Sequence, residues 1–253
     1  MRICRVALDD ELHYGVIESD AVALLSSHPF GPFEPDGRVL PLADVRLVAP
    51  VLPSKIIAVG KNYADHAKEM GGGVPAAPMI FLKPSTAVIG PGEPILLPWQ
   101  SEQVEHEAEL AVVIGRLCRD VPEERVPEVV LGYTCANDVT ARDLQRTDGQ
   151  WGRAKGFDSF CPIGPWIETS PDLDDAAITC SVNGDVRQSG STGDMVRDVV
   201  ELVSWISSVM TLLPGDVILT GTPAGVGPIV AGDQVSVTID GIGTLTNPVI
   251  DRD

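Results

Sequence analysis

Several changes of hydrophobic period along the chain mark out its elements. Ile3–Leu8, Leu12–Val16 and Val22–Leu25 are short apolar stretches separated by Asp9-Asp10-Glu11 and Ser19-Asp20, which predicts a small strand meander. Residues 26–50, rich in Pro and Gly, predict a connection and lid edge between an N-terminal unit (1–50) and a main domain (51–253). The main domain then opens with IIAVG, which has the composition of a buried strand. KNYADHAKEM predicts a helix: it holds good helix formers, no Pro or Gly, and is stopped by Gly71-Gly72-Gly73.

MIFLKPS, residues 104–115 and residues 129–136 predict further strands, the last leading into NDVTARDLQ. Between Met195 and Met210 the rhythm becomes helical, with Val196, Val199, Val200, Val203, Ile206, Val209 and Met210 on one face. Pro214-Gly215 stops it, and DVILT predicts a strand. Val235, Val237 and Ile239 then alternate with polar residues before Asp240-Gly241, a hairpin signal. Strands outnumber helices and are not regularly interleaved with them, so the predicted class is α+β with a large β-rich core.

Composition narrows the function. The chain has 253 residues, 44% of them hydrophobic and 21% charged, as a globular protein requires. No apolar run is long enough to span a bilayer, and the N-terminus meets acidic residues too early for a signal peptide, so a cytoplasmic location and no membrane partner are expected. Five scattered cysteines with no CxxC spacing argue for reduced, buried thiols and against a disulfide framework or a zinc site. A net charge of -18 repels a polyanion, so no nucleic-acid partner is expected. An anionic small substrate meets the same field unless a cation or local Lys and Arg reverse it.

The segment VEHEAELAVVIG bears on that tension. On a strand, Glu105, Glu107 and Glu109 point to one side, where like charges repel. Two readings stand: a polar strand end in solvent, or a divalent cation held by two of the carboxylates. A third oxygen ligand then comes from elsewhere, and Asp138 in CANDVTARD leaves an apolar strand where an unpaired carboxylate is costly to bury. A carboxylate set without Cys or paired His favours Mg²⁺ or Mn²⁺ over zinc.

His66 and Glu69 sit three residues apart on the predicted helix, either as a surface pair or as a base oriented by a carboxylate. His106 has the opposite strand parity to Glu107 and Glu109 and should face away from them. Arg142, Arg146, Arg153 and Lys155 form a basic stretch, either solvated or presented to an anionic substrate. TGTPAGVG lacks both the P-loop ending and GxGxxG. It predicts instead a tight turn that presents N–H groups and the Thr222 hydroxyl to a carboxylate.

Taken in order, VGKNYADHAKEM, FLKPSTAVIGPGEPI, EAELAVVIG, GYTCANDVTARDLQ, RAKGFDSFCPIGPW, MTLLPGDVILTGTPAGVGPI and GIGTLTNP resemble the fumarylacetoacetate hydrolase family from about residue 50 onward. The likeness is to its small bacterial and mitochondrial branch of acylpyruvate hydrolases, oxaloacetate decarboxylases and isomerase/decarboxylases of aromatic catabolism. The resemblance implies a mixed β-sandwich roll with a small N-terminal β unit, assembled as a homodimer. It implies Glu107, Glu109 and Asp138 as ligands of Mg²⁺ or Mn²⁺ (Ca²⁺ can take the same oxygens in crystals), with Glu105 as a neighbour only. His66 and Glu69 match the catalytic dyad, and Lys155 the substrate-facing lysine. Arg142, Gln145, Gly221 and Thr222 match positions around the substrate. The implied substrate is a small 2-oxo or 2-hydroxydienoic acid. The implied reaction is hydrolysis of acylpyruvates or decarboxylation of oxaloacetate through a metal-bound enolate, with 2-hydroxyhepta-2,4-diene-1,7-dioate isomerisation as the alternative.

Overall fold

A computed structural model describes residues 1–9 and 11–252; Asp10 and Asp253 lie outside them. The largest sheet has twelve strands. Its main path runs Pro35–Pro41, Ala21–Leu25, Glu11–Glu18, Arg2–Leu8, Cys161–Glu168, Val130–Asn137, Ala108–Ile114, Val217–Leu219, Ile56–Gly60, Met79–Lys83. Arg46–Val48 and Val88–Ile89 add to it beside Arg2–Leu8 and Cys161–Glu168. A second sheet has five strands, in the order Asp185–Ser191, Ala177–Val182, Gln234–Ile239, Gly243–Asp251, Ile95–Leu97. A third, of three, orders Thr140–Ala141, Val104–His106 and Gly227–Pro228.

The strand Ala108–Ile114 is buried at every position because both of its faces are covered. Leu110 joins Ile178, Val237 and Leu245 of the five-stranded sheet in one apolar cluster, which makes the sandwich. Val112 and Ile114, further along the same face, pack on Leu202, Val203 and Ile206 of the long helix Val199–Val209. Ala111 and Val113, on the opposite face, meet Ile3, Ile56, Ile163 and Val217. The result has the large β-rich core that the sequence pattern predicts and the sandwich roll that the resemblance implies.

Three local predictions change. The long helix begins at Val199, not Met195, because the Asp198 carboxylate accepts the Glu201 N–H at 2.8 Å and caps it. Val196, assigned to its apolar face, is instead 42% exposed. Residues 26–50 are more than a connection: Pro35–Pro41 pairs antiparallel with Ala21–Leu25 at the sheet edge, where proline is tolerated. The N-terminal strands continue the large sheet, with Ile3 opposite Ile167. KNYADHAKEM is helical only over Ala64–Glu69, since Lys61 takes a left-handed φ of 58° and Tyr63 is extended.

Other predictions hold. Gly71 ends that helix with φ 72°, and Gln234–Ile239 pairs with Gly243–Asp251 as a hairpin. All five cysteines are unpaired and buried. Among the described residues no helix is long and apolar enough to cross a membrane.

Candidate metal centre and active site

The register between two neighbouring strands builds the acidic cluster. Ala108 stands opposite Asn137, and the Asp138 N–H donates to the Glu107 carbonyl at 2.8 Å. Asp138 is thus locked beside Glu107, with Glu109 two residues along the same side. One carboxylate oxygen from each of the three lies within 4.8 Å of the others, and all three residues are buried.

Cations compensate part of this charge. Lys155 Nζ lies 2.7 Å from Glu107 Oε2 and 2.5 Å from Asp138 Oδ2. The buried Lys83 places its ammonium 2.5 Å from Asp138 Oδ1. Arg142 donates from Nη2 to Glu107 Oε1 at 2.5 Å and from Nε to Glu105 Oε2 at 2.7 Å. Burial alone would raise the pKa of Glu107, but the charges of Lys155 and Arg142 outweigh it and hold the group well below the usual carboxylate range.

Glu109 is left over. Among the described residues its one hydrogen-bond donor is the Gly221 N–H, at 2.7 Å. Burial, with the charges of Asp138 and Glu107, pushes its pKa well above the ordinary value. Converging oxygen donors, one of them without a cation partner among the described residues, fit a hard divalent cation.

The short helix Ala64–Glu69 carries His66. Its Nδ1 is 3.0 Å from Glu69 Oε2, and Glu69 Oε1 accepts the Gly225 N–H at 3.1 Å. Both ends of the Glu69 carboxylate are therefore used, and the helix is tied to the glycine-rich loop. His66 shares a cavity of about 170 Å³ with the three carboxylates, Lys155 and Gln145. Phe81 and Trp151, packed edge to face with ring centroids 5.2 Å apart, line it as well.

Other expected residues take positions the sequence did not specify. The Thr222 hydroxyl is spent within the protein, donating to the Ala108 carbonyl at 2.8 Å and accepting from Gln188 Nε2 at 2.7 Å. The glycine-rich turn does present an N–H to a carboxylate, but to the protein's own Glu109. The basic stretch divides: Arg142 and Lys155 are buried in the site, whereas Arg153 pairs with Asp148 at the surface. Arg142 also donates from Nη1 to Gln145 Oε1 at 2.6 Å, which leaves the Gln145 NH₂ as a donor toward the cavity. His106 turns away, as its parity predicts, and lies 2.9 Å from Gln188 Oε1. Sequence reasoning missed Lys83, whose one signal is a lysine closing the apolar run MIFL. It also missed that Glu105 anchors Arg142.

Comparison with known proteins places this arrangement. Residues 55–250 match the family described as fumarylacetoacetate (FAA) hydrolase C-terminal. The chain belongs to the fumarylacetoacetate hydrolase family. Residues 1–50 match a second description, Rv2993c-like N-terminal. The crystal structure of 5-carboxymethyl-2-hydroxymuconate delta-isomerase from Mycobacterium smegmatis is 56% identical, with a TM-score of 0.94 and all of both chains covered. The Homo sapiens mitochondrial oxaloacetate tautomerase FAHD2A is 44% identical over 84% of this chain and 72% of its own length. Maleylpyruvate hydrolase from Sphingobium sp. SYK-6, solved with manganese(II) and pyruvate, is 33% identical with a TM-score of 0.84, again covering both chains fully. This fumarylacetoacetate hydrolase family member therefore stands among isomerases, tautomerases and hydrolases of small organic acids.

Proposed function

We propose that the protein is a Mg²⁺- or Mn²⁺-dependent enzyme acting on a short 2-oxo acid, with carbon–carbon hydrolysis of acylpyruvates as its main reaction. The observation that carries this reading is the His66–Glu69 pair opening onto the same cavity as Glu107, Glu109 and Asp138. Glu107, Glu109 and Asp138 would hold the cation, which when bound polarises the 2-oxo group and offsets the negative field of the chain. A relative solved with manganese and pyruvate supports that choice of ion and substrate class.

The chain's own residues supply the proton chemistry. His66 removes a proton from a water in the cavity, and Glu69 orients the ring and stabilises the imidazolium. The water oxygen adds to the distal carbonyl of the acylpyruvate. Lys155, in the same cavity, donates to the oxyanion that forms. The bond between that carbon and C3 then breaks, giving a carboxylic acid and the enolate of pyruvate, which takes up one proton. Arg142 fixes Glu107, the Gly221 N–H fixes Glu109, and Thr222 anchors the loop that carries Gly221. The Gln145 NH₂ is left to meet the substrate. Oxaloacetate would lose CO₂ to the same enolate without the water.

The second reading is isomerisation or tautomerisation, with His66 moving a proton between carbon and oxygen of the enol. It is favoured by relatives at 56% and 44% identity that carry those names. The reading also takes the protein as a homodimer, testable by light scattering.

The deciding experiment is a panel assay with Mg²⁺ or Mn²⁺ on acetylpyruvate, fumarylpyruvate, oxaloacetate and 2-hydroxyhepta-2,4-diene-1,7-dioate. Metal-dependent cleavage of the acylpyruvates is expected. Conversion of the dioate or of oxaloacetate enol alone would move the assignment to the second reading. No turnover of any of the four would end both.

A further inference from the structure

Lys61 has an unusual backbone for its residue type. Six non-glycine residues among those described have a positive φ, and the other five are Asp9, Ser19, Asp120, Ser159 and Asn183. Asp and Asn enter the left-handed region most readily and Ser is a common turn residue, whereas a lysine gains nothing there locally. Such strain persists where surrounding structure enforces it and gathers at functional sites. Here it sets the Lys61 side chain at the wall of the cavity that holds the three carboxylates.

The surroundings keep the ammonium available. A Cβ on Gly72 would lie 2.8 Å from Lys61 Nζ, so the glycine tail of the helix leaves it room. Lys61 is not paired with a carboxylate among the described residues, in a chain with twice as many acidic as basic residues (36 against 18). Arg146, on the helix Arg142–Asp148, also lines the cavity without a carboxylate partner; its Nη2 donates to the neutral Gln103 Oε1. Trp151 brings the two segments together, because a Cβ on Gly60 would stand 2.7 Å from its ring. The cavity therefore has an acidic end, with aromatic rings and two uncompensated cations on its remaining wall.

We propose that Lys61, together with Arg146 on the wall of the same cavity, determines specificity by binding a second carboxylate at the far end of the substrate, so that the enzyme selects 2-oxo diacids over 2-oxo monoacids. This rests on the 2-oxo acid reading above and deepens it. Lys61 brings a long cation to the cavity wall that no carboxylate among the described residues neutralises, and a charge-assisted hydrogen bond from it discriminates against a substrate ending in a methyl group.

The test uses two probes that differ only at C5, 2-oxoglutarate and 2-oxopentanoate, titrated calorimetrically into the full chain with Mn²⁺. The wild type should bind the diacid more tightly. K61M should cut the ratio of the two affinities by roughly tenfold or more, the range of one hydrogen bond to a charged group. K61R should restore most of it, which a purely structural lysine would not. An unchanged ratio in K61M, with both probes bound, overturns the assignment of Lys61 and leaves the 2-oxo acid reading in place. Failure of the wild type to bind either probe overturns that reading and this proposal together.

Discussion

Nδ1 of His66 stands 3.0 Å from Oε2 of Glu69, and the second oxygen of that carboxylate is held by the Gly225 N–H at 3.1 Å. The ring is thereby fixed at one nitrogen, leaving Nε2 for proton transfer. His66→Ala should lower acylpyruvate hydrolysis by roughly 10²–10⁴-fold, the usual worth of a general base. Oxaloacetate decarboxylation, which needs no attacking water, should fall less. Steady-state kinetics on both substrates check this, and a His66→Ala enzyme that hydrolyses acylpyruvates at the parental rate removes the base assignment.

Glu109 lies on the strand Ala108–Ile114 and Asp138 just past the end of its neighbour Val130–Asn137, and the proposed function gives both the same task. Glu109→Ala or Asp138→Ala should abolish Mn²⁺ binding and every activity together. Excess Mn²⁺ should stabilise the wild type by about 2.7 kcal/mol at a hundred times Kd and so raise its melting temperature. Neither variant should show that gain. A variant that still gained it would place the ion elsewhere.

The buried ammonium of Lys83 faces Asp138 Oδ1. Lys83→Met removes one partner of a buried pair, which typically costs about 3–5 kcal/mol. Lys155 still reaches the other oxygen of Asp138, so the lower end of that range applies. A chain of this size should then melt roughly 6–12 °C lower without metal. An unchanged melting curve would show that Lys83 does not stabilise the carboxylate cluster.

Burial pushes the thiols of Cys4, Cys135, Cys161 and Cys180 up to about 12. Below that pH their thiolate fraction is very small, and no reagent reaches them without unfolding. At pH 8 the native protein should react with an aromatic disulfide reagent at these four positions only on the timescale of opening. All five cysteines should titrate promptly in guanidinium. Fast native reaction at Cys135 or Cys161 would mean that the sandwich core opens readily.

Part of the site was legible because it is local. Glu107 and Glu109 share a side because strand geometry alternates, and His66 meets Glu69 because helix geometry brings i and i+3 together. The likeness of the intervening segments to one family carried the β-sandwich roll and pointed to Glu107, Glu109 and Asp138 as a ligand set. Asp198 shows what periodicity alone cannot settle: the apolar rhythm runs from Val196 to Met210, yet a polar side chain chooses where the helix begins. The edge strand Pro35–Pro41 was obscured by its own prolines, whose missing N–H matters little at an edge.

By itself the sequence determined the β-rich class, the placing of Glu107 and Glu109 on one side of a strand, and the spacing that lets His66 meet Glu69. Those properties follow from alternation, composition and short-range spacing. Only the tertiary structure decided which charges compensate which. Lys83 lies 55 positions from Asp138, Lys155 lies 48 from Glu107, and Arg142 lies 35 from Glu107. Strand register and loop closure, not sequence distance, bring such groups together, and among the described residues they leave Glu109 as the member of the cluster without a cation of its own.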